Sequence, residues 1–61
     1  MKIRRLREAQ AMTQEQLAKR ARVSQSYLSQ LESGSRGKMP GLKVAQKIAK
    51  ALGVPLGELL E

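Results

Sequence analysis

The side chains with most binding chemistry to offer are amide and hydroxyl groups clustered near the middle of the chain: Gln25, Ser26, Ser29 and Gln30. Amides and hydroxyls both donate and accept hydrogen bonds, and such groups read the base edges exposed in the major groove of duplex DNA. Helical spacing places them opposite Leu28 and Leu31. An ordinary solvated helix face is the alternative, because polarity alone does not imply a ligand.

Two short helices joined by a tight turn are predicted to position these groups. Thr13 and Gln16 have the spacing of a capping box, in which each side chain satisfies a backbone N–H of the first turn. Met12 and Leu17 flank that box as a hydrophobic staple, and Ser24 begins a second helix with the same kind of cap. The pattern predicts a helix-turn-helix unit whose second helix turns its polar side outward.

Composition points independently to a polyanionic partner. The chain has 61 residues, enough for a single small domain over 1–61. Twelve Lys and Arg against five Asp and Glu give a net charge of +7 and a pI near 10.7. Such an excess of positive charge is the electrostatic footprint of a nucleic-acid binder.

The residue types that are missing argue against several other classes of protein. The sequence has no histidine and no cysteine, which removes the usual metal ligands, disulfides and most nucleophile–base pairs. We therefore expect no enzymatic activity, no metal, no cofactor and no small-molecule ligand. No apolar run approaches a membrane span and no signal-peptide core follows the first cations, so we expect a cytoplasmic, nucleoid-associated protein.

The remaining pattern predicts an all-α domain, a compact five-helix bundle with helices at 2–10, 14–21, 25–33, 42–52 and 56–60. The first helix is predicted to bury Ile3, Leu6 and Ala9. The fourth is predicted to bury an apolar stripe of Leu42, Ala45, Ile48, Ala49 and Leu52. Gly34 and Gly53 stand where left-handed residues end helices, and Leu56, Leu59 and Leu60 form the apolar side of the last helix.

Two blocks of sequence resemble the phage-repressor and Cro-like helix-turn-helix family. The first comprises residues 13–18 (TQEQLA), 23–32 (VSQSYLSQLE) and Gly34. The second comprises Pro40, Leu42, 47–54 (KIAKALGV), Leu59 and Leu60. The resemblance, which covers almost the whole chain, implies a lambda-repressor-like DNA-binding domain in which the second and third helices form the DNA-reading unit.

The resemblance also implies contacts for individual residues. Gln14 is expected to bind a phosphate and to brace Gln25. Phosphate contacts are predicted for Thr13, Gln14, Tyr27, Ser33, Ser35, Arg36, Lys38 and Lys43. Those of Arg36 and Lys38 are expected because a loop beside the reading helix faces the DNA backbone. For Tyr27, packing of the ring against a neighbouring helix is an equal alternative, and Lys47 and Lys50 are interpreted as solubilising charges.

Two further residues are interpreted as structural. Glu32 lies beside the proposed DNA face, where a free carboxylate would repel phosphate, and the resemblance implies that it pairs with Arg7. Arg22 occupies a turn position where the family commonly has glycine. We expect a left-handed backbone there, at a cost of about 1 kcal/mol for arginine.

The sequence therefore predicts a transcriptional regulator, in the manner of a repressor, that reads double-stranded DNA with helix 25–33. A weak homodimer on a palindrome is expected, because one reading helix covers few base pairs. The alternative is the same fold used as a protein-interaction module, such as an antitoxin or coactivator core.

Overall fold

The computed structural model describes residues 2–33 and 41–60, which form five α-helices and no strand in those ranges. The helices are Ile3–Ala9 (α1), Gln14–Ala21 (α2), Gln25–Glu32 (α3), Leu42–Leu52 (α4) and Leu56–Leu60 (α5). The all-α class is confirmed, and no predicted helix end is displaced by more than one residue. The predicted helix-ending role of Gly34 lies outside the described residues.

Side-chain caps begin both helices of the central unit, as the sequence predicts. The Thr13 hydroxyl oxygen accepts from the Gln16 backbone N–H at 3.1 Å, and the Gln16 side-chain oxygen accepts from the Thr13 N–H at 2.9 Å. At α3 the Ser24 hydroxyl oxygen accepts from the Tyr27 N–H at 3.0 Å. Two backbone N–H groups at the start of α2 and one at the start of α3 thereby gain acceptors that the hydrogen bonds within the helix cannot supply.

Three helices end on a residue in the left-handed conformation, although only one of these residues is glycine. The φ angles are 55° at Ala11, 59° at Arg22 and 71° at Gly53. After each of them the next N–H reaches back across the last turn, as where Val23 donates to the Ala18 carbonyl oxygen at 3.0 Å. The prediction for Arg22 is confirmed, whereas the left-handed Ala11 was not predicted.

One apolar core joins all five helices. The buried residues of this core are Ile3, Met12, Leu17, Ala18, Ala21, Leu28, Leu31, Ala45, Ile48, Ala49, Leu52 and Leu59. At the edges of the described core, α1 is tied to the later helices by the Lys2 N–H, which donates to the Leu59 carbonyl oxygen at 3.0 Å. The Gln10 amide adds a second tie to the Leu52 carbonyl oxygen at 2.6 Å.

Two predicted core positions are wrong. Ala9 is exposed, because the two three-residue steps from Ile3 through Leu6 to Ala9 turn about 600° in all, which leaves Ala9 about 120° around the helix from Ile3. Leu42 is 64% exposed. It is the first residue of α4, where the side chain leans toward the N-terminus and past the packed part of the helix. Leu60, at the far end of the chain, is also exposed, whereas Leu56 is half-buried.

Candidate nucleic-acid interface

The polar groups of α3 form one continuous exposed face. With about 100° per residue, Gln25, Ser26, Ser29 and Gln30 fall within roughly 140° of arc, and all four are exposed. Leu28 and Leu31 lie on the opposite side and are buried, at 0% and 6% exposure. The four predicted base-contacting residues are thus brought together on a single surface, which we call the reading face.

Packing and capping together set the direction of that face. Leu28 and Leu31 anchor α3 in the core, and α3 packs directly against α2. The Ser24 cap fixes where the helix begins. Because these contacts leave little freedom to rotate α3, its polar groups are held in an orientation set by the fold.

An ion pair ties α1 to the end of the reading helix. Arg7 Nε lies 2.7 Å from Glu32 Oε2, and Arg7 Nη2 lies 2.9 Å from Glu32 Oε1, which is a bidentate geometry. Arg7 Nη1 also donates to the Met12 carbonyl oxygen at 2.7 Å. The side chains are only 12% and 3% exposed, respectively. The expected pairing of Arg7 with Glu32 is therefore present in the structure.

The surroundings of Glu32 keep its carboxylate charged. Burial alone would raise the pKa of Glu32, but hydrogen bonds from Arg7 and Gln14 and the positive charges of Arg7 and Arg4 outweigh it, so the pKa is lowered. The pKa of Arg7 is raised, chiefly by its hydrogen bond to Glu32. The negative charge next to the reading face is thus matched by a fixed positive one.

Gln14 has a different partner from the one expected. Its amide donates to Glu32 Oε1 at 3.0 Å, and no hydrogen bond joins Gln14 to Gln25 in the described residues. The brace between Gln14 and Gln25 stays a prediction. Glu32 attracts the amide more strongly because an ionised carboxylate is a better acceptor than a neutral carboxamide. Gln14 consequently links the start of α2 to the end of α3 through the ion pair.

The predicted phosphate-contacting residues lie at the ends of three helices. Thr13 and Gln14 lie at the start of α2, Ser33 follows α3, and Lys43 lies in the first turn of α4. The Ser33 hydroxyl donates to the Gln30 carbonyl oxygen at 3.0 Å. Three further predicted positions, Ser35, Arg36 and Lys38, lie outside the described residues.

Tyr27 is half-buried and packs against the core cluster. The packing alternative for its ring is therefore what the structure shows. Contact between its hydroxyl and a phosphate remains a prediction, because ring packing does not occupy that group.

Arg4 is a neighbour of this surface that was not among the predicted contacts. A groove of about 290 Å³ beside the reading face is lined by Arg4, Arg7, Gln14, Ser29, Glu32 and Ser33. Arg4 is exposed and forms an ion pair with Glu8 one turn along α1, at 3.2 Å. Its position three residues before Arg7 was the available signal, since residues three apart share a helix side.

None of the helices in the described ranges is both long and apolar enough to cross a membrane. Polar and charged groups line the open face of α3 and the groove beside it.

Comparison with known proteins adds to the geometry. Residues 3–59 match a family model described as helix-turn-helix. An uncharacterized HTH-type transcriptional regulator, y4dJ, from Sinorhizobium fredii (strain NBRC 101917 / NGR234) is 43% identical over 56 residues, which cover 92% of this chain and 70% of that protein. No solved structure gives a significant match. The family match includes α1 to α4 and all but the last residue of α5.

Proposed function

The chain belongs to the helix-turn-helix family, and on this premise we propose that it is a sequence-specific DNA-binding transcriptional regulator. The observation that carries the proposal is the exposed reading face of α3, held outward by a buried apolar side. The printed description of the Sinorhizobium relative supports the same role. The net charge of +7 suits a polyanionic partner.

In this proposal the reading face enters the major groove. Gln25 and Gln30 each carry a carboxamide that can bond both N6 and N7 of adenine, so both residues are proposed to prefer that base. Ser26 and Ser29 have shorter side chains that can accept or donate, and they supplement the readout at neighbouring base pairs. An α-helix fits within the major groove, which is about 12 Å wide.

Phosphate contacts are proposed to set the register of the helix in the groove. The positive end of the α2 dipole, with Thr13 and Gln14, faces one backbone strand. Ser33, Tyr27 and Lys43 are proposed to contact the backbone as well, together with Ser35, Arg36 and Lys38. Such contacts raise affinity for all sequences and carry no direct sequence information.

Regulation from a defined site further requires more than one copy, because one reading helix covers few base pairs. We propose a weak homodimer on a palindrome, with reading helices about 34 Å apart, one turn of DNA. Exposed Leu60 supplies apolar surface for the contact. Repulsion between monomers of charge +7 opposes the dimer in free solution and is relieved on DNA. The protein would then act as a repressor, in the cytoplasm with the nucleoid.

Fluorescence anisotropy with duplexes at several salt concentrations tests the proposal. If a dimer neutralises about six to ten phosphates, log K against log salt should have a slope of about −5 to −9. Changing Gln25 or Gln30 to alanine should weaken the selected site by about 1–3 kcal/mol and random DNA little. The matched control is Gln46→Ala, an exposed glutamine on α4. Failure of every duplex to bind at low salt would refute the proposal.

Duplexes whose half-site spacing changes by single base pairs test the dimer separately. Cooperative binding should peak where the half-sites are about one helical turn apart. Indifference to the spacing would mean that the chain binds as independent monomers, which would leave base reading intact and remove only the dimer from the proposal.

A further inference from the structure

A second charged surface lies between the C-terminal end of α2 and the neighbouring side of α4. It is a cleft of about 480 Å³ lined by Arg20, Ala21, Arg22, Lys47, Lys50 and Ala51. Four of the six residues are cations, and the other two are alanines that offer no polar side-chain group. We call this surface the α2–α4 cleft.

The cleft holds positive charge that the described protein groups do not neutralise. Within residues 2–33 and 41–60, none of its four cations forms an ion pair. Arg4, paired with Glu8, and Arg7, paired with Glu32, lie outside the cleft; Arg5, Lys19 and Lys43 also form no ion pair in these ranges, but none of them lines the cleft. Because like charges gathered around one cleft repel each other, an anion bound there would relieve the repulsion.

Arg22, which lines the cleft, has a backbone conformation that is unfavourable for residues other than glycine. Its φ of 59° and ψ of 44° lie in the left-handed region, where glycine avoids the steric penalty. Gly53 fills the equivalent position at the end of α4. Backbone strain of this kind concentrates at functional sites, and here it accompanies a cation that completes the lining of the cleft.

We propose that the α2–α4 cleft binds phosphate groups of a nucleic-acid backbone, outside the face that reads bases. This inference rests on the proposed function for the identity of the polyanion. A single carboxylate would match only one of four cations, whereas duplex DNA carries one negative charge per about 1.7 Å of its axis. Arginine guanidinium also matches phosphate in a bidentate geometry, and the alanine floor can face the apolar side of a sugar.

The cleft is separate from the base-reading surface along the molecule. From Gln14 at the start of α2 to Arg20 near its end, the helix axis advances about 9 Å. Lys47 and Lys50 belong to α4, which packs on α2, whereas the reading face belongs to α3. A duplex on the reading face can therefore supply only its flank to the cleft, and otherwise a second duplex fills it.

Neutralising two cleft cations tests the inference against a variant of equal charge. Lys47→Gln/Lys50→Gln is compared with Arg5→Gln/Lys19→Gln, whose exposed cations do not line the cleft. On a random 30-bp duplex the cleft variant should flatten the log K–log salt slope by about 1.8, since each lost phosphate contact removes about 0.9. Its affinity should then fall about tenfold less than the parent's between 50 and 200 mM salt. Equal slopes for the two variants would overturn the inference.

The source of the phosphate is identified by four additions to the ¹⁵N-labelled protein: duplexes of increasing length, a second duplex, inorganic phosphate and a polyglutamate peptide. Shifts of the Arg20–Arg22 and Lys47–Ala51 amides that appear only with duplexes longer than the reading site indicate the flank of the same DNA. Shifts on adding a second duplex to the saturated complex indicate bridging of two. Either result supports the inference. The inference would be overturned if these amides shift with inorganic phosphate or with a polyglutamate peptide but do not shift with any duplex.

Arg22→Gly separates binding from folding, because it removes both the cation and the backbone strain. It should raise the melting temperature and yet weaken binding to random DNA several-fold. Unchanged affinity in a more stable variant would count against the cleft. The ratio of affinities for selected and random DNA reports on the proposed function instead, so that either proposal can fail alone.

Discussion

Replacing Arg7 with methionine is expected to lower the free energy of unfolding by about 2–4 kcal/mol. Methionine keeps a long apolar stem but removes both hydrogen bonds to Glu32 and the one to the Met12 carbonyl oxygen. The Glu32 side chain, only 3% exposed, is then left as a buried charge without its counter-ion. The remaining bond from Gln14 places the expected loss toward the lower part of the range for a broken buried pair, about 3–5 kcal/mol.

A loss of that size is large for this protein. At about 0.05–0.15 kcal/mol per residue, a chain of 61 residues has a total stability of about 3–9 kcal/mol. Glu32→Gln should cost less, about 1–3 kcal/mol, because the carboxamide keeps one acceptor oxygen for Arg7. The double variant Arg7→Met/Glu32→Leu should recover much of the loss, since a well-packed apolar pair often replaces a buried ion pair without penalty.

The same pair predicts how stability depends on pH. The pKa of Glu32 in the folded protein is lower than in the unfolded chain, so folding favours the ionised form. This contribution is complete above the unfolded value of about 4.3 and is lost as the pH falls through the lower folded value. Glu32→Gln should therefore be less acid-sensitive than the parent below about pH 4.

Urea denaturation at pH 7 and at steps down to pH 3, followed by circular dichroism, measures these quantities. The control is Arg5→Met, an exposed α1 cation two residues before Arg7 and about 200° around the helix from it. If Arg7→Met and Glu32→Gln both unfold at the same urea concentration as the parent, the pair does not stabilise the fold. A pH profile of Glu32→Gln parallel to that of the parent would refute the ionisation argument.

Four other substitutions give independent predictions. Ala11→Gly should stabilise the fold by about 0.5–1 kcal/mol in the same urea assay, because the relief of left-handed strain exceeds the added conformational entropy of the unfolded chain. Gly53→Ala should destabilise the fold by about 1 kcal/mol, because an added Cβ meets no neighbour but the left-handed backbone becomes strained. Tyr27→Phe should leave the melting temperature within about 2 °C, because the packed ring is kept, and should weaken all duplexes alike in anisotropy titrations if the hydroxyl contacts a phosphate. Leu60→Ser should reduce cooperativity between half-sites without changing half-site affinity, as measured by gel retardation on both duplexes.

The elements were predictable because their signals are local. The Thr13 capping box and the Ser24 cap begin helices where the sequence predicts, since each cap involves atoms within three residues. Tertiary partners were less accessible: the choice of Glu32 by Gln14 depends on which groups the fold brings close, and they are distant in sequence. The left-handed Ala11 gave no signal, because alanine is a helix former and no glycine marks the turn that the Met12 N–H closes on the Arg7 carbonyl oxygen at 3.1 Å.

The surfaces divide in the same way. The reading face follows from the spacing of polar residues on one helix, and that spacing is visible in the sequence. The α2–α4 cleft joins residues 20–22 to 47–51, so the interpretation of Lys47 and Lys50 as solubilising charges could not take their neighbours into account. The role proposed for these two lysines depends on Arg20 and Arg22, which packing places beside them.

Selection of binding sites from random duplexes tests most directly whether α3 reads bases. The parent protein should enrich a short consensus, with adenine at positions opposite Gln25 and Gln30. The double variant Gln25→Ala/Gln30→Ala should retain salt-dependent binding to all duplexes and lose that consensus, whereas Gln46→Ala should reproduce the parent's. Base reading by α3 is contradicted if the parent enriches no sequence, or if the double variant enriches the same one.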